Sequence, residues 1–191
     1  MEYDMMTCPF EYDSFKNLRK KEAEKYFNWY VNQIEYRITA LKEAVLQDRR
    51  KIALNYSLES LIPLWDWYET KIRLVNKSED ELKKEFAKYP KWLHSEILRT
   101  KISPETLSYG MDIAVYFAEV VIRESCGRIR WGYFTTPRNR MSVNEPVLLG
   151  FKGNMDMNPR LVIVNCTRRS SREANRDRLI DLYHTWMAYV E

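Results

Sequence analysis

The chain has 191 residues and a mass of 23.1 kDa, with 45% hydrophobic residues, 30% charged residues and a net charge of +4. This balance excludes disorder, collagen and coiled-coil rods, and a chain of this length can bury a full core. Only five glycines stand against 14% aromatics, and neither GxGxxG nor GxxxxGK(S/T) occurs, so a glycine-rich phosphate cradle is not expected.

Residues 1–16 read as a poorly specified lead-in that Phe10 and Phe15 could pin. They carry four acids before Lys16 and lack the cationic start and apolar run of a signal peptide. From Lys20 to Gln47, Phe27, Tyr30, Val31, Ile34, Ile38, Leu41 and Val45 recur at steps of three and four, one face of a helix about 40 Å long. Ser57 and Ser60 then precede a helix with Leu61, Leu64, Trp65 and Tyr68 on one side; Pro63 requires that helix to start near Leu61 or Ile62. Ser78-Glu79-Asp80-Glu81 is a capping box opening a short helix through Lys88, and Trp92, Leu93 and Ile97 fit another short helical piece. Ser103-Pro104-Glu105 is the strongest helix start in the chain. The helix should end at Gly127 and, being apolar nearly all round, should be the central one.

After Gly127 the pattern changes to strands. Arg128–Phe134 alternates, Pro146–Phe151 is apolar, and Lys152-Gly153-Asn154 suits a turn. Arg160–Cys166, apolar on both faces, reads as a central strand, with a last helix from Ser171 to Val190. The expected architecture is one α+β domain over residues 1–191. N-terminal helices and a long central helix pack on a small, mainly antiparallel three-stranded sheet, closed by a C-terminal helix. The six tryptophans, spread over about as many elements, read as core anchors.

Tyr56-Ser57-Leu58-Glu59-Ser60-Leu61 running to Trp65-Asp66-Trp67, Gly110 to Val120, Trp131 and Glu145 to Phe151 resemble an uncharacterised group of bacterial cytoplasmic proteins. Some of that group are predicted immunity proteins of toxin systems. The resemblance spans residues 50–190 and rests on packing and capping residues. It implies a non-enzymatic protein that binds a partner.

The chemistry-bearing residues are few. His94 and His184 lack metal-ligand spacing, so neither a metal nor another cofactor is expected. Cys8, Cys126 and Cys166 are widely spaced without CxxC, which fits a reduced, cytoplasmic setting. No apolar stretch is long enough for a membrane span. Asp112 and Glu119 on the central helix are the weak candidates for acid–base catalysis. Their backbones lie about 10.5 Å apart along the axis, and Glu119 can instead pair with Arg123 at i,i+4.

Charge is more informative. Residues 126–178 hold eleven bases, ten of them arginine, and four acids, a net +7 that leaves −3 for the rest. Arg128, Arg130, Arg138, Arg140, Arg160, Arg168, Arg169 and Arg172 with Ser170 are therefore the candidate anion- or partner-binding residues. Thr167–Arg172 is the sharpest point if it joins a strand end to a helix start, where free amides favour an anion. The leading expectation is a non-catalytic, immunity-like protein whose arginine-rich sheet meets an acidic protein partner. Nucleic-acid or phosphoanion binding by the same surface is the alternative, with Trp131, Tyr133 and Phe134 available for stacking. A hydrolase-like enzyme using Asp112 and Glu119 is the third.

Overall fold

The computed structural model describes residues 3–190, so Met1, Glu2 and Glu191, the ends of the single-domain reading, lie outside it. Lys20–Gln47 forms α1. Its buried stripe runs through Ala23, Tyr26, Tyr30, Arg37, Leu41 and Ala44, the three- and four-residue steps of one helical face. The lead-in is tied across this helix: Phe10 and Phe15 meet the Tyr26 ring edge-on, with centroids 6.3 and 4.9 Å away.

Leu61–Glu69 forms α2, with Pro63 in its first turn as its chemistry demands. Pro104–Glu124 forms α4, the central helix, opened by Ser103 Oγ, which accepts the Thr106 N–H at 3.1 Å. It ends as Cys126 and Gly127 turn into positive φ (52° and 82°). α4 packs against α1 on one side and on α5 (Pro159–Ser170) on the other. Gly110 allows the close approach to α2, because a Cβ there would lie 2.7 Å from Tyr68 Oη. The Tyr68 hydroxyl sits 3.1 Å from Thr106 O and 2.9 Å from Thr167 Oγ1, joining α2, α4 and α5 in the core.

The three-stranded sheet is antiparallel, in the order β3 (Arg130–Gly132), β4 (Val147–Leu149), β5 (Asp156–Met157). Trp131 pairs with Leu148, and Leu148 with Met157. Lys152–Asn154 makes the expected turn, with Gly153 at φ 68°. The last helix, α6 (Arg178–Met187), returns the chain so that Val190 bridges Phe151 at the sheet. The α+β architecture is as the pattern implied.

Two assignments change. Arg160–Cys166 is not the central strand but most of α5. Asn158 Oδ1 caps it by accepting the Leu161 N–H at 3.1 Å, Pro159 follows at the first turn, and burial of Pro159, Ile163, Cys166 and Thr167 has helical spacing. A short apolar run does not by itself distinguish a buried strand from a buried helix, and packing on α4 overrides the β preference of Val162-Ile163-Val164. The third strand is instead the two-residue β5. Nor does a helix begin at Ser171: Ser170 Oγ and the Asn175 N–H both donate to Glu69 Oε1, at 2.5 and 2.9 Å, and the chain turns there before α6.

A second sheet, absent from the sequence expectation, pairs β1 (Leu74–Asn76) with β2 (Thr100–Ile102). Between them lie α3 (Glu79–Phe86), opened by the Ser78/Glu81 capping box, and a 3-10 segment, Lys91–Glu96.

Candidate binding surface

Asp112 and Glu119 are each held by a structural partner. Asp112 is fully buried and takes two bonds from Arg37, Nε at 2.8 Å and Nη2 at 2.7 Å. The Tyr3 hydroxyl also donates to it. Asp4 completes the cluster, accepting Arg37 Nη1 at its carboxylate (3.1 Å) and Nη2 at its carbonyl (2.6 Å). Burial pushes the Asp112 carboxyl above the usual carboxylate range, although Arg37 and Tyr3 pull it back. Glu119 accepts the Trp131 indole N–H at 2.9 Å. Arg123, expected beside Glu119, lies over the Tyr56 ring, 3.8 Å from its centroid. Sequence reading passed over Arg37. Its signal was positional: a base on the apolar stripe between Ile34 and Leu41, in a chain whose central helix carries an acid on an apolar side.

The arginines do not share one sheet surface. Arg130 and Arg140 line a depression of about 450 Å³ with Phe134. There Arg140 is bound to Asp156 Oδ1 through Nε (3.1 Å) and Nη2 (2.5 Å) and covers the Phe134 ring. Arg160 faces a separate groove under the lead-in and bonds Glu145 Oε2 at 2.6 Å. Arg128 donates to Ser125 O at 3.0 Å. Arg130, Arg138, Arg168, Arg169 and Arg172 are exposed. Trp131 and Tyr133 turn toward α1, with ring centroids 5.4 Å from Tyr30 and 4.8 Å from Phe27.

The Thr167–Arg172 corner is also reassigned. It is the C-terminal end of α5 rather than a helix start. The Ser171 N–H is spent on Thr167 O, and those of Arg172 and Glu173 on Arg169 O. Amides there offer no anion cradle; Arg168 and Arg169 instead complement the negative end of the helix dipole. Ser170 Oγ donates to Glu69 and accepts Arg178 Nε at 2.9 Å.

What the fold leaves outward is an arm, residues 71–102, in which no side chain is fully buried. Lys77–Glu85 and Lys101–Glu81 ion pairs fasten its two strands to α3. The Phe86 and His94 rings meet at a tilt of 32° with centroids 4.7 Å apart, and His94 Nε2 lies 3.0 Å from both Phe86 O and Tyr89 O. Leu74, Val75, Tyr89 and Leu98 are exposed, and Trp92 is 77% exposed, unlike the other five tryptophans, which are buried or half-buried. The reading of all six as core anchors therefore fails at Trp92: a 3-10 turn of six residues offers no second layer to cover it. Nine bases against five acids give the arm a net +4, equal to that of the whole chain. Between arm and α5 runs a groove of about 550 Å³ with Leu93, Ile97, Ile102 and Val164 along it and Arg168 at its rim. Lys77, Lys101, Glu85 and Glu96 also line it, so its polar margin carries both signs of charge.

No family model, curated protein or solved structure matches the chain. Among the described residues no three His, Cys, Asp or Glu side chains are grouped to hold a metal ion, and no helix is long and apolar enough to cross a membrane.

Proposed function

We propose that this chain is a non-catalytic binding protein, immunity-like in role, that engages an acidic protein partner. The sheet surface is replaced in this reading by the basic arm and the Arg168–Arg172 corner beside it. One observation carries the proposal: residues 71–102 contain no fully buried side chain, hold Trp92 outward and carry a net +4. An exposed tryptophan in a region of net positive charge has the composition of an interface centre rather than of an idle surface. Asp112 and Glu119, committed to Arg37 and Trp131, lend a hydrolytic reading no pair of converging carboxyls. Trp131 and Tyr133, packed toward α1, are not the stacking platform that the nucleic-acid reading used.

The test is affinity purification from the native host with the wild-type chain, Trp92→Ala and the triple variant Arg168→Glu/Arg169→Glu/Arg172→Glu as baits. A stoichiometric acidic protein on the wild-type bait should be lost from both variants, with Trp92→Ala weakening binding by about thirtyfold. Recovery of no partner, or equal recovery on all three baits, overturns the proposal. Gel-shift binding to nucleic acid with a log–log salt slope of about −5 would favour the phosphoanion reading instead.

A further inference from the structure

We infer that the free edge of β1 receives an extended, acid-flanked segment of the partner as an added strand. This deepens the binding reading above and rests on it. The hydrogen-bond pattern fixes which groups are offered. Arg73 O accepts the Ser103 N–H at 2.9 Å, and the Lys77 N–H donates to Arg99 O at 2.8 Å. Residues 73 and 77, and 75 by alternation, thus face β2, so the N–H and C=O groups of Leu74 and Asn76 point to the open side. Among the described residues no third strand pairs with β1, and Leu74, Val75 and Asn76 are all exposed.

This ribbon is incomplete yet preformed. Two strands alone are marginal in water, and a third is the usual completion. Its root is nonetheless fixed, because Thr106 Oγ1 on α4 accepts the Arg73 N–H (3.0 Å) and donates to Lys71 O (2.8 Å). An incoming strand therefore orders little of this chain, which favours affinity.

The flanking charges decide the occupant. A second copy pairing antiparallel about Val75 would set Arg73 opposite Lys77 at both ends, like charges across a strand pair. Short, cation-flanked edges discourage self-association for this reason. A segment with glutamate or aspartate at those positions and apolar residues between them meets Arg73 and Lys77 with opposite charge; Lys77 then bridges it and Glu85, now 2.5 Å away. The edge thus selects an acidic strand over its own copy.

The probe is a seven-residue synthetic peptide, Val-Thr-Val flanked by two glutamates at each end, whose inner glutamates are spaced four apart like Arg73 and Lys77. A lysine-ended counterpart is the control. Both are added at millimolar concentration to the full-length chain, and amide exchange is followed by NMR. The glutamate peptide should slow exchange at Leu74 and Asn76 by about tenfold or more, while the lysine peptide should not. Asn76→Pro removes one outward N–H without touching the β2 ladder and should abolish the protection at Leu74. Asn76→Thr should retain it, and the Lys77 amide reports whether the arm stays folded in either variant. Absence of protection, or equal protection by both peptides, overturns the proposal; these two measurements on the wild-type chain decide it even where Asn76→Pro disturbs the arm. Trp92-dependent capture of an acidic protein that leaves Leu74 and Asn76 unprotected in the complex overturns strand addition while the binding reading stands.

Discussion

Replacing Arg37 by methionine removes the one cation from a cluster of buried acceptors. Asp112 loses both of its guanidinium bonds and keeps only Tyr3, and Asp4 loses its two bonds from Arg37 while keeping that from the Tyr36 hydroxyl. Removing one member of a buried ion pair leaves an uncompensated charge, which costs about 4 kcal/mol. That is a large share of the roughly 5–15 kcal/mol that holds a domain folded, and the melting temperature should fall by about 8–16 °C. Arg37→Met/Asp112→Leu removes both charges and should be more stable than Arg37→Met alone by about 2 kcal/mol. Urea unfolding followed by tryptophan fluorescence measures both. The pH dependence has a defined sign. Without Arg37, the Asp112 carboxyl lies further above its unfolded value, so the stability of Arg37→Met is greatest below the unfolded pKa, about 4, and is lost as pH rises through the folded one. A loss under about 1 kcal/mol for Arg37→Met, or strictly additive losses in the double variant, would refute the assignment of Asp112 as a structural group.

Asp48 ties the end of α1 to α2, accepting the Trp67 indole N–H at 2.6 Å and pairing with Lys71. Burial alone would raise its carboxyl, but the Lys71 and Trp67 bonds and the Lys71 charge hold it below the usual carboxylate range. Its contribution is therefore present above the unfolded pKa and lost as pH falls through the folded one. Asp48→Asn should cost about 1 kcal/mol at neutral pH after allowance for solvent screening, the gap closing as the pH drops below about 4 in acid-dependent melts. Burial pushes the Cys166 thiol up, whereas Cys126 is exposed; iodoacetamide followed by mass mapping should label Cys126 in the native protein and Cys166 only after unfolding. Gly150 sits at φ 112°, where a Cβ would fall 2.1 Å from Arg128 O. Gly150→Ala should destabilise the sheet by about 3 kcal/mol, measured by chemical denaturation.

Local signals carried the sequence reading where the local term was strong. The helix Lys20–Gln47, the Ser78 box and the Ser103-Pro104 start are set by capping chemistry and a 3.6-residue period that neighbours do not have to supply. The reading failed where two periods fitted the same residues. Leu161–Cys166 satisfies a strand by composition and a helix by position, and only α4, lying against it, makes the helical face the buried one. The error then propagated, because taking α5 for a strand turned the carbonyl end at Arg168–Arg172 into an apparent amide end.

The sequence by itself determined the class of the fold, the central helix, and a charge distribution too uneven to be uniform surface. It could not say which cations were already matched, since that depends on partners remote in the chain: Arg37 with Asp112, Arg140 with Asp156, Arg160 with Glu145. Nor could it separate Trp92 from Trp65 and Trp67. All three lie in short apolar contexts, but only the latter two have α4 and α6 in reach, and burial is a property of what packs above a residue rather than of the residue. Tertiary structure alone shows that the arm leaves Leu74, Val75, Tyr89, Trp92 and Leu98 exposed, because no second layer packs above them.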